Sequence, residues 1–245
     1  MESGMRQYFQ KAYKKSKKEF LEFLEKRMKE EKGTFVVTAN PEIFMNGKKI
    51  RRMHDALKDK NTCIVPDGIG ILHAGERLGY QFQERIPGVE ICEALLAYAN
   101  QMEKEVFLFG AKQEVLAALV KRIKHQYPRI IICGAVNGYV EDKETVFREI
   151  VQKQPDVVLV ALGTPKQELM IHQYYNPEGK GIYVGVGGSF DVLSGLKKRA
   201  PEFFIRHNLE WLYRITTEPQ RIKRFWNSNV KFLFEIRKEK NGNRR

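Results

Sequence analysis

Six short, β-branched apolar runs recur along the chain, at residues 34–38, 61–65, 105–110, 129–134, 156–162 and 181–186, each separated from the next by enough residues for helix. This rhythm limits the available folds more than any other feature. Strands that alternate with helices cannot pair through tight hairpins, so they read as a parallel sheet. Several runs are almost uninterruptedly apolar, as strands covered on both faces require. Most end in Gly, Asn, Asp or Pro, where a strand must turn into a helix. The pattern predicts an α/β fold: a Rossmann-like, mostly parallel sheet with helices on both faces and its ligands at the carboxyl ends of the strands.

The strand rhythm stops after Arg199-Ala200-Pro201. Two helical segments are expected beyond it, at about 202–216 and 218–238, with Pro219 where a helix N-terminus tolerates it. We place a boundary near residue 196, dividing a catalytic α/β domain (1–196) from a helical appendage (197–245). Residues 5–32 are rich in Lys and Glu, with Phe20, Leu21 and Phe23 among the charges, and are expected to form one charged lead-in helix.

The net charge of +13 is unevenly placed: +4 over residues 1–32, 0 over 33–196 and +9 over 197–245. A neutral body with a basic end attracts a phosphate-rich partner, either nucleic acid or an anionic membrane. No stretch approaches the roughly 18 consecutive apolar residues of a membrane span. Residues 1–18 also lack the apolar core of a secretory signal, so a cytosolic protein is expected. Cys63, Cys92 and Cys133 are odd in number, widely spaced and set in apolar runs, which favours reduced buried thiols.

The candidate chemistry lies where strands end. The first strand runs into Thr38-Ala39-Asn40-Pro41-Glu42, a turn suited to capping. The second runs into Pro66-Asp67-Gly68, where Asp67 can cap the following helix and also serve as a general base. The fifth leads into Gly163-Thr164-Pro165-Lys166-Gln167-Glu168 and the sixth into Gly185-Val186-Gly187-Gly188-Ser189-Phe190-Asp191. Small residues before a helix leave backbone N–H groups to face a phosphate, aided by the helix dipole. Neither segment is a P-loop, and the dinucleotide fingerprint lacks its third glycine. The sequence has no H-E-x-x-H and no Asp-x-Asp, so no protein-built metal site and no cofactor are expected. Lys, Arg and helix N-termini must then meet leaving-group charge.

Seven motifs in order resemble one known family. They are Thr38/Asn40-Pro41-Glu42, Pro66-Asp67-Gly68, Glu84-Arg85-Ile86-Pro87-Gly88, the 163–168 and 185–191 segments, Arg199-Ala200-Pro201, and Leu209-Glu210-Trp211-Leu212-Tyr213-Arg214. The chain resembles, from about Thr34 to about Phe234, the bacterial transferases that add N-acetylmannosamine to undecaprenyl-diphosphate-linked N-acetylglucosamine in teichoic acid or enterobacterial common antigen synthesis (glycosyltransferase family twenty-six). The charged residues 1–32 depart from the apolar strand with which such proteins commonly begin.

The resemblance implies inverting transfer from UDP-N-acetylmannosamine to the lipid-linked acceptor, forming a β-linked disaccharide. Asp67 would be the base, and Thr38, counted with it at the catalytic centre, and Asn40 would hold the acceptor or donor sugar. Arg85, Lys166 and Gln167 would bind diphosphate or sugar, and Gly185, Gly187 and Gly188 would line the nucleotide side. The donor within the family stays open, to another UDP-hexose or a uronic acid.

On a helical wheel the tail residues Ile222, Phe225, Trp226, Val230, Phe232, Leu233 and Ile236 share an apolar arc, with Arg221, Lys223, Arg224, Lys231 and Lys238 mainly opposite. Such a helix either packs on the body or lies at a lipid surface. A bilayer-embedded acceptor favours the second, making this a peripheral protein of the inner membrane face, and Arg214, Arg221 and Arg224 could then reach a diphosphate. The same face leaves a homo-oligomer open. A nucleic-acid-binding protein would leave the neutral body and glycine turns unexplained, and a nucleotide-dependent oxidoreductase lacks its fingerprint.

Overall fold

Fully parallel pairing joins all six strands in the order β2-β1-β6-β5-β3-β4. The strands are β1 (Thr34–Ala39), β2 (Thr62–Pro66), β3 (Glu105–Gly110), β4 (Ile131–Val136), β5 (Val157–Ala161) and β6 (Ile182–Gly185) in the computed structural model, which describes residues 4–207, 209–217, 222 and 226–242. The four central strands are buried almost throughout, whereas edge strand β4 is half exposed. Strand parity divides the core between the two sheet faces. Phe35, Val37, Phe107, Phe109, Val158 and Val160 point into one layer, and Val36, Val106, Leu108, Val157 and Leu159 into the other.

The connecting helices are α3 (Pro41–Lys49), α4 (Arg51–Lys58), α5 (Ile69–Arg77), α6 (Gly88–Gln101), α7 (Gln113–Gln126), α8 (Lys143–Lys153), α9 (Lys166–Tyr174) and α10 (Ser189–Leu193). The three cysteines are unpaired, and burial pushes each thiol up from its ordinary range.

The lead-in segment corrects its expectation, because it is two helices, α1 (Gly4–Lys11) and α2 (Lys17–Lys29). A capping box starts the second: Ser16 accepts from the Glu19 amide while the Glu19 carboxylate accepts from the Ser16 amide. Helix α1 buries Met5, Tyr8 and Phe9 in one core layer, and α2 buries Phe20, Leu24 and Met28 in the other. Between them the Tyr13 amide donates to the Ile64 carbonyl at 2.8 Å, which shields edge strand β2. Most of the charges sit on the outer faces of helices that belong to the body.

The tail also differs from its two expected helices. It contains α11 (Glu202–Arg206), α12 (Glu210–Thr217), a π-helical turn (Trp226–Val230) and α13 (Lys231–Gly242). His207 closes the first helix, and α12 restarts three residues later, so no single helix spans 202–216. Phe232 and Ile236 of α13 are fully buried in the same layer as Phe9 and Phe44, while Ile222, Trp226, Leu233 and Phe234 are exposed. The predicted apolar arc is therefore split between the core and the surface. Among the described residues no helix is long and apolar enough to cross a membrane.

Candidate active site at the carboxyl ends of four strands

The motif residues converge at the carboxyl ends of β2, β1, β6 and β5, four neighbours in the sheet. Parallel pairing puts Thr38 level with Val65 and Ala39 level with Pro66, so the ends of the first two strands emerge side by side. The Asp67 amide then donates to the Ala39 carbonyl at 2.8 Å, continuing the ladder one residue past the strand.

Asp67 was expected to cap α5, the helix that follows it. That helix instead begins at Ile69, with Gly68 at its N-cap and no side-chain cap. The Asp67 carboxylate reaches across to α6, where its Oδ2 accepts from the Gly88 amide at 3.2 Å. The 84–88 loop makes this possible by crossing the strand ends, its Ile86 amide donating to the Pro66 carbonyl at 2.7 Å. Asp67 thus takes one of the unpaired amides of a helix N-terminus.

Gly88 is also pressed on Thr38. A Cβ at this position would lie 3.3 Å from Thr38 Cγ2 and 3.6 Å from Asp67 Oδ2. Thr38 is buried and its hydroxyl donates to the Gly185 carbonyl at 3.3 Å, tying β1 to β6. We expect Gly88→Ala to fold normally but to lose about tenfold or more in turnover, because sub-ångström displacement of reacting groups is costly. Initial rates measured beside a urea unfolding curve would check both halves of that expectation.

Asn40 caps α3, its Oδ1 accepting from the Ile43 amide at 3.0 Å. Lys166 is exposed in the first turn of α9. Gln167 is buried, and its side chain bonds internally: Oε1 accepts from the Gly163 and Gly187 amides, each at 3.1 Å, and Nε2 donates to Glu168 at 2.7 Å. Two of the loop amides expected to face a phosphate are therefore turned toward Gln167. Both glycines have positive φ, +77° and +48°, which explains glycine there. Gly188 is exposed at the start of α10.

Arg85 forms an ion pair with Glu210 of α12 at 3.3 Å, and both side chains are largely buried. Arg199, at the root of the tail, binds Glu90 in the first turn of α6 at 2.5 Å. The Asn229 side chain lies 3.9 Å from where a Cβ on Gly70 of α5 would sit. The tail thus leaves the layer of α10, passes Arg85, and ends on α3 and α5 across the sheet. Arg214 lies in α12 with its side chain outside the description, and Arg221 and Arg224 lie outside the described residues.

Two acids were not assigned roles from sequence. Glu168 has no role in sequence beyond its motif, although a buried Gln-Glu pair in the first turn of a helix is a readable oddity. Glu210 was likewise only a motif member, yet an acid between Leu209 and Trp211 in so basic a tail could have been suspected of having an arginine partner.

A parallel sheet with a hydrogen-bonded carboxylate, a threonine and an arginine near its strand ends is of the doubly wound α/β class, whose ligands sit at the sheet mouth. The chain belongs to the Glycosyl transferase WecG/TagA/CpsF family, whose model matches residues 8–245 and so takes in most of the charged lead-in. It is 42% identical over 223 residues to the N-acetylglucosaminyldiphosphoundecaprenol N-acetyl-beta-D-mannosaminyltransferase of Bacillus subtilis, covering 91% of this chain and 87% of that one. The proteins of the same name in Bacillus spizizenii and Staphylococcus aureus are 45% and 37% identical, over 79% and 84% of this chain and 75% and 80% of theirs.

Proposed function

We propose that this glycosyltransferase moves N-acetylmannosamine from UDP-N-acetylmannosamine to N-acetylglucosamine carried on undecaprenyl diphosphate, with inversion. The observation that carries the reading is the Asp67 carboxylate, fixed by the Gly88 amide beside Thr38 at the mouth of the sheet. Asp67 takes the proton of the acceptor hydroxyl as its oxygen attacks the anomeric carbon from the face opposite UDP. The bond to UDP breaks as the new one forms, and the electron pair leaves on the diphosphate. Arg85 and Lys166 meet that charge, with Arg214, Arg221 and Arg224 as further candidates from the tail. Thr38 and Asn40 hold sugar hydroxyls, and Gly185, Gly187 and Gly188 line the nucleotide side, where Gln167 sets the loop shapes.

In the same reading, residues 1–196 are the catalytic body and 197–245 an appendage that meets the inner face of the cell membrane. Exposed Trp226, Leu233 and Phe234 stand among exposed Lys231, Arg237, Lys238 and Lys240, a mixture suited to an anionic lipid surface. The Arg85–Glu210 pair supports a tail that reaches the reaction centre.

A donor screen tests the activity, using UDP-N-acetylmannosamine, its uronic acid and UDP-N-acetylglucosamine with a short-chain prenyl-diphosphate N-acetylglucosamine acceptor. We expect a β-linked disaccharide from the first donor alone. Turnover only with another donor would reassign the sugar, and no transfer from any of them would sink the reading.

A further inference from the structure

Glu168 is 1% exposed and carries more unexplained chemistry than any other side chain near the site. Its Oε1 accepts from Gln167 Nε2 at 2.7 Å, but its Oε2 is buried without a hydrogen-bond partner among the described residues. The Thr164 hydroxyl, also buried, lies beside the carboxyl and opposes the rise in its pKa, though outside strict hydrogen-bond geometry. The charged neighbour facing it is another acid, Glu42 of α3. An ionised carboxylate with one oxygen outside hydrogen-bond geometry, no ion-pair partner among the described residues and a like charge nearby is costly to bury.

We infer that Glu168 is a positioning residue, held as the neutral acid, that orients the Gln167 amide and through it the strand-end frame on which Asp67 sits. The path is continuous. Fixing Nε2 of Gln167 leaves its Oε1 facing the Gly163 and Gly187 amides, which locks the loops after β5 and β6 to each other. The pair also packs directly on the last residue of β6: a Cβ on Gly185 would lie 2.8 Å from Gln167 Nε2 and 3.1 Å from Glu168 Oε1. Gly185 in turn takes the Thr38 hydroxyl on its carbonyl, and Thr38 abuts Gly88, the residue that holds Asp67. Burial drives the Glu168 pKa upward, consistent with a proton on this carboxyl.

The catalytic half of this inference rests on the sugar-transfer reading, so the test carries one readout that does not. Glu168→Gln keeps the shape and the acceptor for Gln167 and replaces the acid proton by an amide donor; Glu168→Leu removes both. With the full chain, we expect Glu168→Leu to lower kcat/KM about a hundredfold, and Glu168→Gln to restore it to within about threefold of the unsubstituted protein. Hydrogen exchange at the Gly163 and Gly187 amides should accelerate about tenfold or more in the Leu variant and stay unchanged in the Gln variant.

A third readout uses only the Gln variant. An acid whose pKa is raised on folding contributes stability below its unfolded value and loses it as pH climbs toward the folded value. The Tm advantage of Glu168→Gln over the unsubstituted chain should therefore widen as pH rises above the ordinary carboxylate range. A Gln variant as impaired as the Leu variant, or a Leu variant with normal amide protection, would overturn the inference. A Leu variant that does not fold leaves the decision to the Gln variant, where faster Gly163 and Gly187 exchange or a flat Tm difference overturns it. Absence of transfer in the unsubstituted protein would remove the sugar-transfer reading, while exchange and Tm still decide the role of Glu168.

Discussion

Asp67→Asn should lower the transfer rate by about 10²- to 10⁴-fold, the range over which removing a positioned general base is felt. Asparagine has the shape of the carboxylate and its Oδ1 can still accept from the Gly88 amide, so the 84–88 loop keeps its seat on the strand ends. What disappears is the basicity. The unfolding midpoint should move by only a few degrees, and the donor KM should change much less than kcat, because proton removal belongs to the transition state. Initial rates with saturating UDP-sugar and a prenyl-diphosphate acceptor check this directly. A variant that turns over at the full rate would exclude Asp67 as the base and turn attention to a residue of the tail.

How Asp67 is held also shows which parts of the site the sequence discloses. Each apolar run is a strand, with bounds shifted by up to two residues. The largest shift, from 129–134 to Ile131–Val136, arises because the Ile130 amide closes a turn onto the Tyr127 carbonyl instead of joining the ladder. Local chemistry is readable because β-branched runs and their terminators act over a few residues. The partnerships at the mouth are not, since Asp67 meets a glycine twenty-one positions on and Arg85 meets Glu210 from the far end of the chain. A one-dimensional reading assigns Asp67 to the cap of the next helix, and only the crossing of the 84–88 loop redirects it to α6.

Gln167 teaches the same lesson in reverse. Its place in a glycine-bounded turn suggests a side chain offered to a ligand, but the positive φ of Gly163 and Gly187 curls both loops so that their amides meet its Oε1. The polar atoms of the Gln167 side chain are satisfied from within, and the surface they leave is shaped by backbone. Loops fixed in this way need no rearrangement when charge develops on a leaving group, which is where preorganised dipoles are most effective.

The second large effect concerns the tail, and there the split of its apolar arc decides which experiment is informative. Deleting residues 197–245 would strip Phe232 and Ile236 from the core along with any membrane-facing surface, so loss of activity after that cut could reflect loss of fold. Phe232→Ala alone should cost about 3–5 kcal/mol of stability, as emptying an aromatic core position does. The exposed side chains separate the two roles. Replacing Trp226, Leu233 and Phe234 together by Ser removes three large groups that are 65%, 46% and 61% exposed, and should leave the urea midpoint nearly unchanged. Binding to vesicles containing anionic phospholipid should fall about tenfold or more, because interfacial helices need apolar insertion as well as charge, and the remaining attraction should vanish at high salt. Transfer to a short-chain, water-soluble acceptor should survive in this variant, while transfer to a long-chain acceptor in vesicles should not. Co-sedimentation equal to that of the unsubstituted chain would show that α13 serves the body alone, and that the basic tail meets its substrate without the bilayer.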